Sequence, residues 1–170
     1  MPIAETSRLH LSKINLKDAD FFLNLVNSPN WLKYIGDRKV KTIKDAKTYI
    51  QKGTLKSYKD FGFGFYKLQL KEESKKTIGV CGLIKREQLE GVEIGFALLP
   101  EYEGKGYGFE ASIAVLKLAE EKFKIKKITA ITLAKNMSSI NLLEKLGLTY
   151  EKKVKPFDDG EELLLFAKIL

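Results

Sequence analysis

A strand that passes through alternating glycines straight into an amphipathic helix constrains this chain more than any other segment. It reads Ile94-Gly95-Phe96-Ala97-Leu98-Leu99-Pro100-Glu101-Tyr102-Glu103-Gly104-Lys105-Gly106-Tyr107-Gly108-Phe109-Glu110-Ala111. Gly104, Gly106 and Gly108 clear every Cβ from one side of the turn, so successive backbone N–H groups converge on a phosphate at the positive end of the following helix. The owner of that phosphate is expected to be a cofactor. Other phosphate loops are spaced differently: there is no Gly-x-x-x-x-Gly-Lys-Ser/Thr, and Gly-x-Gly-x-Gly past mid-chain lacks the third glycine position of a dinucleotide fingerprint. A purely structural turn rarely needs three glycines ahead of a helix, here one with Ala111, Val115, Leu118 and Ala119 along an apolar face.

A second segment narrows the reading. Asn136-Met137-Ser138-Ser139-Ile140-Asn141-Leu142-Leu143-Glu144-Lys145-Leu146-Gly147-Leu148 follows the β-rich run Ile128-Thr129-Ala130-Ile131-Thr132-Leu133, with Asn136 a natural helix N-cap and Gly147 the matching stop. Ile140, Leu143 and Leu146 give this helix an apolar face. Around these two units, alternation predicts strands over 8–14, 61–70, 77–85, 92–98, 128–133, 149–155 and 163–169. Helical spacing covers 16–26 and a short turn at 31–35. A longer helix starts at Thr42 in a near capping box with Asp45 and runs through Tyr49 and Ile50 toward Tyr58. Residues 71–76 form a polar hairpin loop, and the helix after the glycines extends to Phe123.

The two motifs, in this order and about thirty residues apart, resemble the cofactor-binding units of the GNAT N-acetyltransferases, closest to the branch of the ribosomal-protein N-terminal (RimJ/RimL-like) acetyltransferases. The resemblance covers essentially the whole chain and implies an α+β fold. In it, a mixed, mostly antiparallel central sheet carries helices on both faces, and its fourth and fifth strands (here 92–98 and 128–133) splay apart. It further implies that acetyl-CoA is the co-substrate, bound without a metal. Phe96, Ala97 and Leu98 would bond the pantetheine amides. The turn Gly104, Lys105, Gly106, Tyr107 and Gly108, with Phe109 in the first helical turn, would take the pyrophosphate, and Asn136 would hydrogen-bond the cofactor or a bound water. One departure stands out: Glu103 is acidic where the family usually has Gln or Arg. It is expected to point to solvent, where its repulsion on a diphosphate is screened.

Acetyl transfer from a thioester to an amine needs a neutral amine, a place for the developing oxyanion and a proton for the leaving thiolate. Ser139 occupies the Ser of the family's Asn-x-x-Ser and is the candidate general acid; the alternative is a helix-internal hydroxyl bonded to a preceding carbonyl. The tyrosine that many relatives use further along this helix is Leu143 here. For the base the candidate is Glu93, against an exposed strand carboxylate with a water chain in its place. Deprotonating a lysine-type amine of pKa ~10.4 at pH 7 costs roughly 4.6 kcal/mol, whereas an α-amine near ~7.8 costs about 1. A site without a strong base therefore suits a peptide N-terminus; polyamines, amino acids and antibiotics are the small-molecule alternatives, and a non-catalytic acyl-CoA-binding module the third. Acceptor choice is expected from Trp31, Tyr34 and Tyr49 and from the acidic loop 156–162, which either attracts a cationic amine or is a solvated hairpin.

Composition bounds the rest. A chain of 170 residues, 44% hydrophobic, reads as one domain over 1–170. It has neither a membrane-length apolar run nor a signal pattern, so the cytoplasm is the expected compartment. The net charge of +8 comes almost wholly from scattered lysines, with Arg8, Arg38 and Arg86 the only arginines, which argues against nucleic acid and for a field that gathers an anionic cofactor. Cys81 sits in an apolar strand and His10 in the first alternating strand, both read as packing or surface residues. The fold's terminal strands leave an edge that favours a symmetric homodimer.

Overall fold

The computed structural model describes residues 1–170. Its strands are β1 (Ala4–Glu5), β2 (Leu9–Lys13), β3 (Phe65–Leu70), β4 (Thr77–Ile84), β5 (Val92–Leu98), β6 (Lys127–Thr132), β7 (Thr149–Val154) and β8 (Leu163–Ile169). They form one eight-stranded sheet in the order β1-β2-β3-β4-β5-β6-β8-β7. Only β5 and β6 run parallel; every other neighbouring pair is antiparallel. The helices are α1 (Ala19–Leu25), α2 (Pro29–Tyr34), α3 (Ile43–Ile50), α4 (Lys56–Phe61), α5 (Tyr107–Glu121) and α6 (Met137–Lys145).

Two apolar clusters pack against this sheet. One joins Leu9, Tyr66, Leu68 and Leu83 to Ala111, Val115 and Ala119 of α5 and to Ile140 and Leu143 of α6. The other gathers Phe22 and Leu25 of α1, Trp31 of α2 and Ala46 and Ile50 of α3. Strand β4 is consequently buried along nearly its whole length, as its unbroken Ile78-Gly79-Val80-Cys81 run suggests. Cys81 is fully buried beside Ser112, and burial pushes its thiol up to about 12, which suits packing and not nucleophilic attack.

Local chemistry explains most element ends. Thr42 and Asp45 form a complete capping box, and the helix they start continues through a π-helical stretch, Gln51–Leu55, into α4. Helix α6 begins with Asn136 Oδ1 accepting the Ser139 amide at 3.2 Å. It ends in a Schellman motif, with Leu148 N bonded to Leu143 O and Gly147 N to Glu144 O around Gly147 at φ 92°. Two expectations need correction. The strand predicted from residue 61 starts only at Phe65, because Phe61 still closes α4 and Gly62, at φ 81°, caps it in the left-handed region. Phe61 and Phe63 stack on each other at 5.7 Å, and this aromatic alternation imitated a strand. The two-residue β1 also lay below the sequence signal; it pairs Ala4 with Leu11 and Glu5 with His10, a place for the histidine consistent with a surface role.

The expected splay is present. β5 pairs with β4 along its length, from Glu93 opposite Ile84 to Leu98 opposite Gly79. Its parallel pairing with β6 stops after Val92–Ile128 and Glu93–Thr129, while β6 follows β8 as far as Thr132. Residues 94–98 therefore offer a backbone edge to a gap that widens from Glu93 toward Leu98.

Candidate active site

The gap holds two adjoining cavities. One, of about 330 Å³, is lined by the β5 residues Phe96, Ala97 and Leu98, the turn residues Glu103, Gly104, Gly106, Gly108 and Phe109, and Asn136, Ser138 and Ser139 of α6. The other, of about 390 Å³, runs from Glu93 and Arg86 past Tyr49, Arg38 and Phe157. Both share Trp31, Tyr34, Ile35, Phe96, Ala97, Asn136 and Ser139. A molecule in the first thus meets one in the second where β5 passes α6. A larger hollow of about 810 Å³ between residues 4–8 and the outer face of α5 lies away from this junction and includes neither Glu93 nor Ser139.

The glycine turn is built for the first cavity. Pro100–Tyr102 makes a short 3-10 turn, Gly104 and Gly106 take φ 72° and 83°, and α5 follows at once. The first bond closed onto the turn is Glu110 N to Gly106 O, which leaves the amides of Tyr107, Gly108 and Phe109 ahead of it as free helix-end donors. Lys105 and Tyr107 belong to the turn by backbone only. Neither side chain lines the cleft; the Lys105 ammonium lies 5.8 Å from the Tyr102 ring, and Tyr107 packs beneath Arg8.

From sequence Arg8 reads only as the start of a strand; in the structure it braces the turn. Its guanidinium lies 4.1 Å from the Tyr107 ring centre, Nη1 donates to Lys105 O at 3.0 Å, and Nε donates to Glu110 Oε1 at 2.9 Å. Thr6 Oγ1 and the Arg8 amide also donate to Glu110. Partial burial alone would raise the Glu110 carboxyl, but the Thr6 and Arg8 donors outweigh it and hold it below its ordinary range.

Glu103 corrects another expectation. It is exposed, yet it turns along the cleft mouth instead of away from it, and Asn30 Nδ2 at the start of α2 donates to Oε2 at 2.6 Å. This contact spans the mouth from α2 to the glycine turn and fixes a negative charge beside the place a diphosphate would occupy.

Glu93 is not an exposed strand carboxylate: it is 1% accessible and paired with Arg86 Nε at 2.6 Å. Burial raises its pKa, and the Arg86 cation only partly opposes that shift. Arg86 lies in turn 5.2 Å from the Phe157 ring, so one residue of the late loop closes this end of the cavity. Ser139 is half-buried at the junction, and its hydroxyl makes no bond to a preceding carbonyl, in contrast to Thr48, whose Oγ1 donates to Lys44 O at 3.1 Å. Tyr49 stands across the second cavity; burial raises its hydroxyl pKa, and the neighbouring Arg38 draws it back in part. No cluster of three or more His, Cys, Asp or Glu side chains is disposed to hold a metal ion, and no helix is long and apolar enough to cross a membrane.

Known proteins share this chain's fold. The chain is 27% identical over 161 residues to an uncharacterized N-acetyltransferase, p20, of Bacillus licheniformis, covering 94% of this chain and 89% of that protein. Its fold superposes on an acetyltransferase of Agrobacterium tumefaciens with TM-score 0.82 at 23% identity, covering 99% and 94% of the two chains. It also superposes on RimL, a ribosomal L7/L12 α-N-protein acetyltransferase solved with coenzyme A, with TM-score 0.84 at 16% identity, covering 100% and 98%. Since the GNAT acetyltransferase domain model matches residues 8–149, from the bracing arginine to the last sheet hairpin, the chain belongs to the GNAT family of acetyltransferases.

Proposed function

We propose that this acetyl-CoA-dependent N-acetyltransferase passes the acetyl group directly to an α-amine, of a peptide N-terminus or a small molecule, with Glu93 as base and Ser139 as acid. The observation that carries the reading is the junction of the two cavities at Ser139, Asn136, Phe96 and Ala97. Acetyl-CoA supplies the activated thioester. The free edge of 96–98 suits pantetheine amides, and the amides of Gly104 to Phe109 suit the diphosphate. Glu93, at the narrow end of the splay, accepts a proton from the attacking amine directly or through water. As the new N–C bond forms and the C–S bond breaks, Ser139 gives its proton to the departing sulfur and takes one in turn from solvent water, so that coenzyme A leaves as the thiol and the hydroxyl is restored. With Cys81 buried and inert, direct attack needs no acyl-enzyme. Release of coenzyme A, followed across peptide N-termini, amino acids, polyamines and aminoglycosides, tests the proposal; no turnover with any amine would leave only an acyl-CoA-binding module.

A base whose pKa is raised works only above that pKa, so the acidic limb of kcat/KM is expected above the ordinary glutamate range. Arg86 lowers the Glu93 pKa, and so Arg86→Gln should move the limb to still higher pH. Glu93→Gln should remove the break that Glu93 contributes, leaving the one set by the amine's own pKa of ~7.8, and lower kcat/KM by about 10-fold, since a water chain still serves an α-amine. A pH profile unchanged in both variants overturns the role of Glu93.

Arg8 acts on the donor side through the turn it braces. Arg8→Lys keeps the charge but cannot hold Tyr107, Lys105 O and Glu110 together, because an ammonium lacks the planar fork. The KM for acetyl-CoA is expected to rise by about 5-fold with kcat nearly constant, as one charge-assisted contact set is lost. Steady-state kinetics at saturating amine would show it, and a fall in kcat alone would refute it.

A further inference from the structure

We infer that the acceptor cavity selects amines that carry a carboxylate a few bonds from the reacting nitrogen: a free amino acid, or a peptide with Asp or Glu next to its N-terminus. This rests on the acetyl-transfer reading above and adds the chemistry of the acceptor. In a chain whose cations are almost all lysine, two of the three arginines line this one cavity. Arginine there is informative, because its planar fork matches a carboxylate and lysine's point charge does not.

The two arginines are in different states. Arg86 is committed to Glu93, the only carboxylate in the cavity wall, so that pair is neutral as a unit. Arg38 belongs to none of the ion pairs; the adjacent Asp37 is bound instead to Lys41 at 3.3 Å. It stands exposed at the cavity mouth beside the Tyr49 hydroxyl, with one full positive charge uncompensated. Nor is it committed to the donor, since it lines the acceptor cavity and not the donor cleft, where Lys145 supplies the cation. Trp31, in the wall that this cavity shares with the donor cleft, has its Nε1 buried without a partner, a second unspent donor. The uncompensated cation of Arg38 and this unpaired wall N–H both favour a ligand that brings acceptor oxygens.

The acidic loop 156–162 does not reverse this sign. Only Phe157 reaches the wall, while Asp158, Asp159, Glu161 and Glu162 are exposed outside it. Asp159 is turned to the Glu161 amide at 2.9 Å and Glu162 to Lys153 at 3.5 Å, so this loop reads as a solvated hairpin and not as a trap for cationic amines.

The test compares acceptors that differ in one carboxylate: a free amino acid against its amide, and Ser-Glu against Ser-Gln tripeptides, all peptides amidated at the C-terminus. The acidic member of at least one pair is expected to show kcat/KM higher by about 3- to 10-fold, a range set by one charge-assisted contact discounted for the exposure of Arg38. The pair that shows it tells a free amino acid from a peptide end. Arg38→Gln should bring the ratio to about one, and Arg38→Glu should invert it in favour of Ser-Lys. Calorimetry of the N-acetylated acidic product against its neutral counterpart gives the same comparison without turnover. Equal use of acidic and neutral acceptors, or a preference that survives Arg38→Gln, overturns the inference. Absence of turnover with every amine while the acidic product still binds through Arg38 would instead refute the acetyl-transfer reading.

Discussion

Gly108→Glu is expected to weaken acetyl-CoA binding by more than about 100-fold and to leave the fold intact. Gly108 sits in the first turn of α5 and is not among the glycines with positive φ, so an L-residue fits its backbone. A Cβ there would meet Leu142 Cδ2 at 3.4 Å and Leu98 Cδ1 at 3.9 Å, ordinary contacts with two residues that themselves line the donor cleft. The added carboxylate would enter the cleft beside the amides meant for the diphosphate. Like charges about 5 Å apart at an effective dielectric of about 20 repel by roughly 3 kcal/mol, a hundredfold in affinity, before bulk is counted. Gly106→Glu makes an instructive contrast. Gly106 has φ 83°, which costs an L-residue about 1 to 2 kcal/mol, and its Cβ would meet Arg8 Nη2 at 3.3 Å. That side chain would face the brace and not the cradle, drawing Arg8 away from Lys105 O, with a smaller loss of affinity and a lower Tm. Calorimetry with acetyl-CoA and thermal unfolding separate the two variants; undiminished affinity in Gly108→Glu would refute the assignment of this cleft.

What the sequence discloses about this site follows from the range of the forces involved. The cradle is legible because its demands are local: glycines where a turn needs left-handed backbone, then a helix whose end amides lack partners. The Asn136 and Gly147 caps of α6 are legible for the same reason, since a cap and its helix lie within a few residues. Glu93 could be singled out on its strand, but its burial and its bond to Arg86 come from the β4–β5 hairpin, which sets Ile84 opposite Glu93. Opposite charges seven residues apart across a predicted hairpin were a usable signal. Arg8 left none, because its partner Glu110 is more than a hundred residues away and only the docking of the N-terminal segment on α5 unites them. Arg38 was equally silent: it lies between α2 and α3, and only the packing of α1 to α3 around Trp31 and Ile50 brings it to the cavity.

For Ser139→Ala the expected result is a fall in kcat of about 10- to 10³-fold with acetyl-CoA affinity nearly constant. General acid help is typically worth ~10²- to 10⁴-fold, and the lower range applies because a thiolate already leaves readily. The geometry isolates the hydroxyl. The backbone amide of Ser139 is held by Asn136 Oδ1, a bond that alanine preserves, and its Oγ has no carbonyl partner to lose. Alanine also favours the helix by up to about 0.5 kcal/mol, so a decrease in activity would not reflect unfolding. The position lines both cavities, the only kind of place from which a side chain reaches the atom passing between them. Leu143, one turn further along α6, is buried and carries no proton to substitute. The deficit should shrink when the leaving thiol is made more acidic, because a weaker base needs less protonation as the C–S bond breaks; a structural defect would be blind to that change. Single-turnover kinetics keep product release from masking the chemical step. A kcat equal to that of the unmodified enzyme under those conditions assigns the proton to water and returns Ser139 to the wall of the cleft.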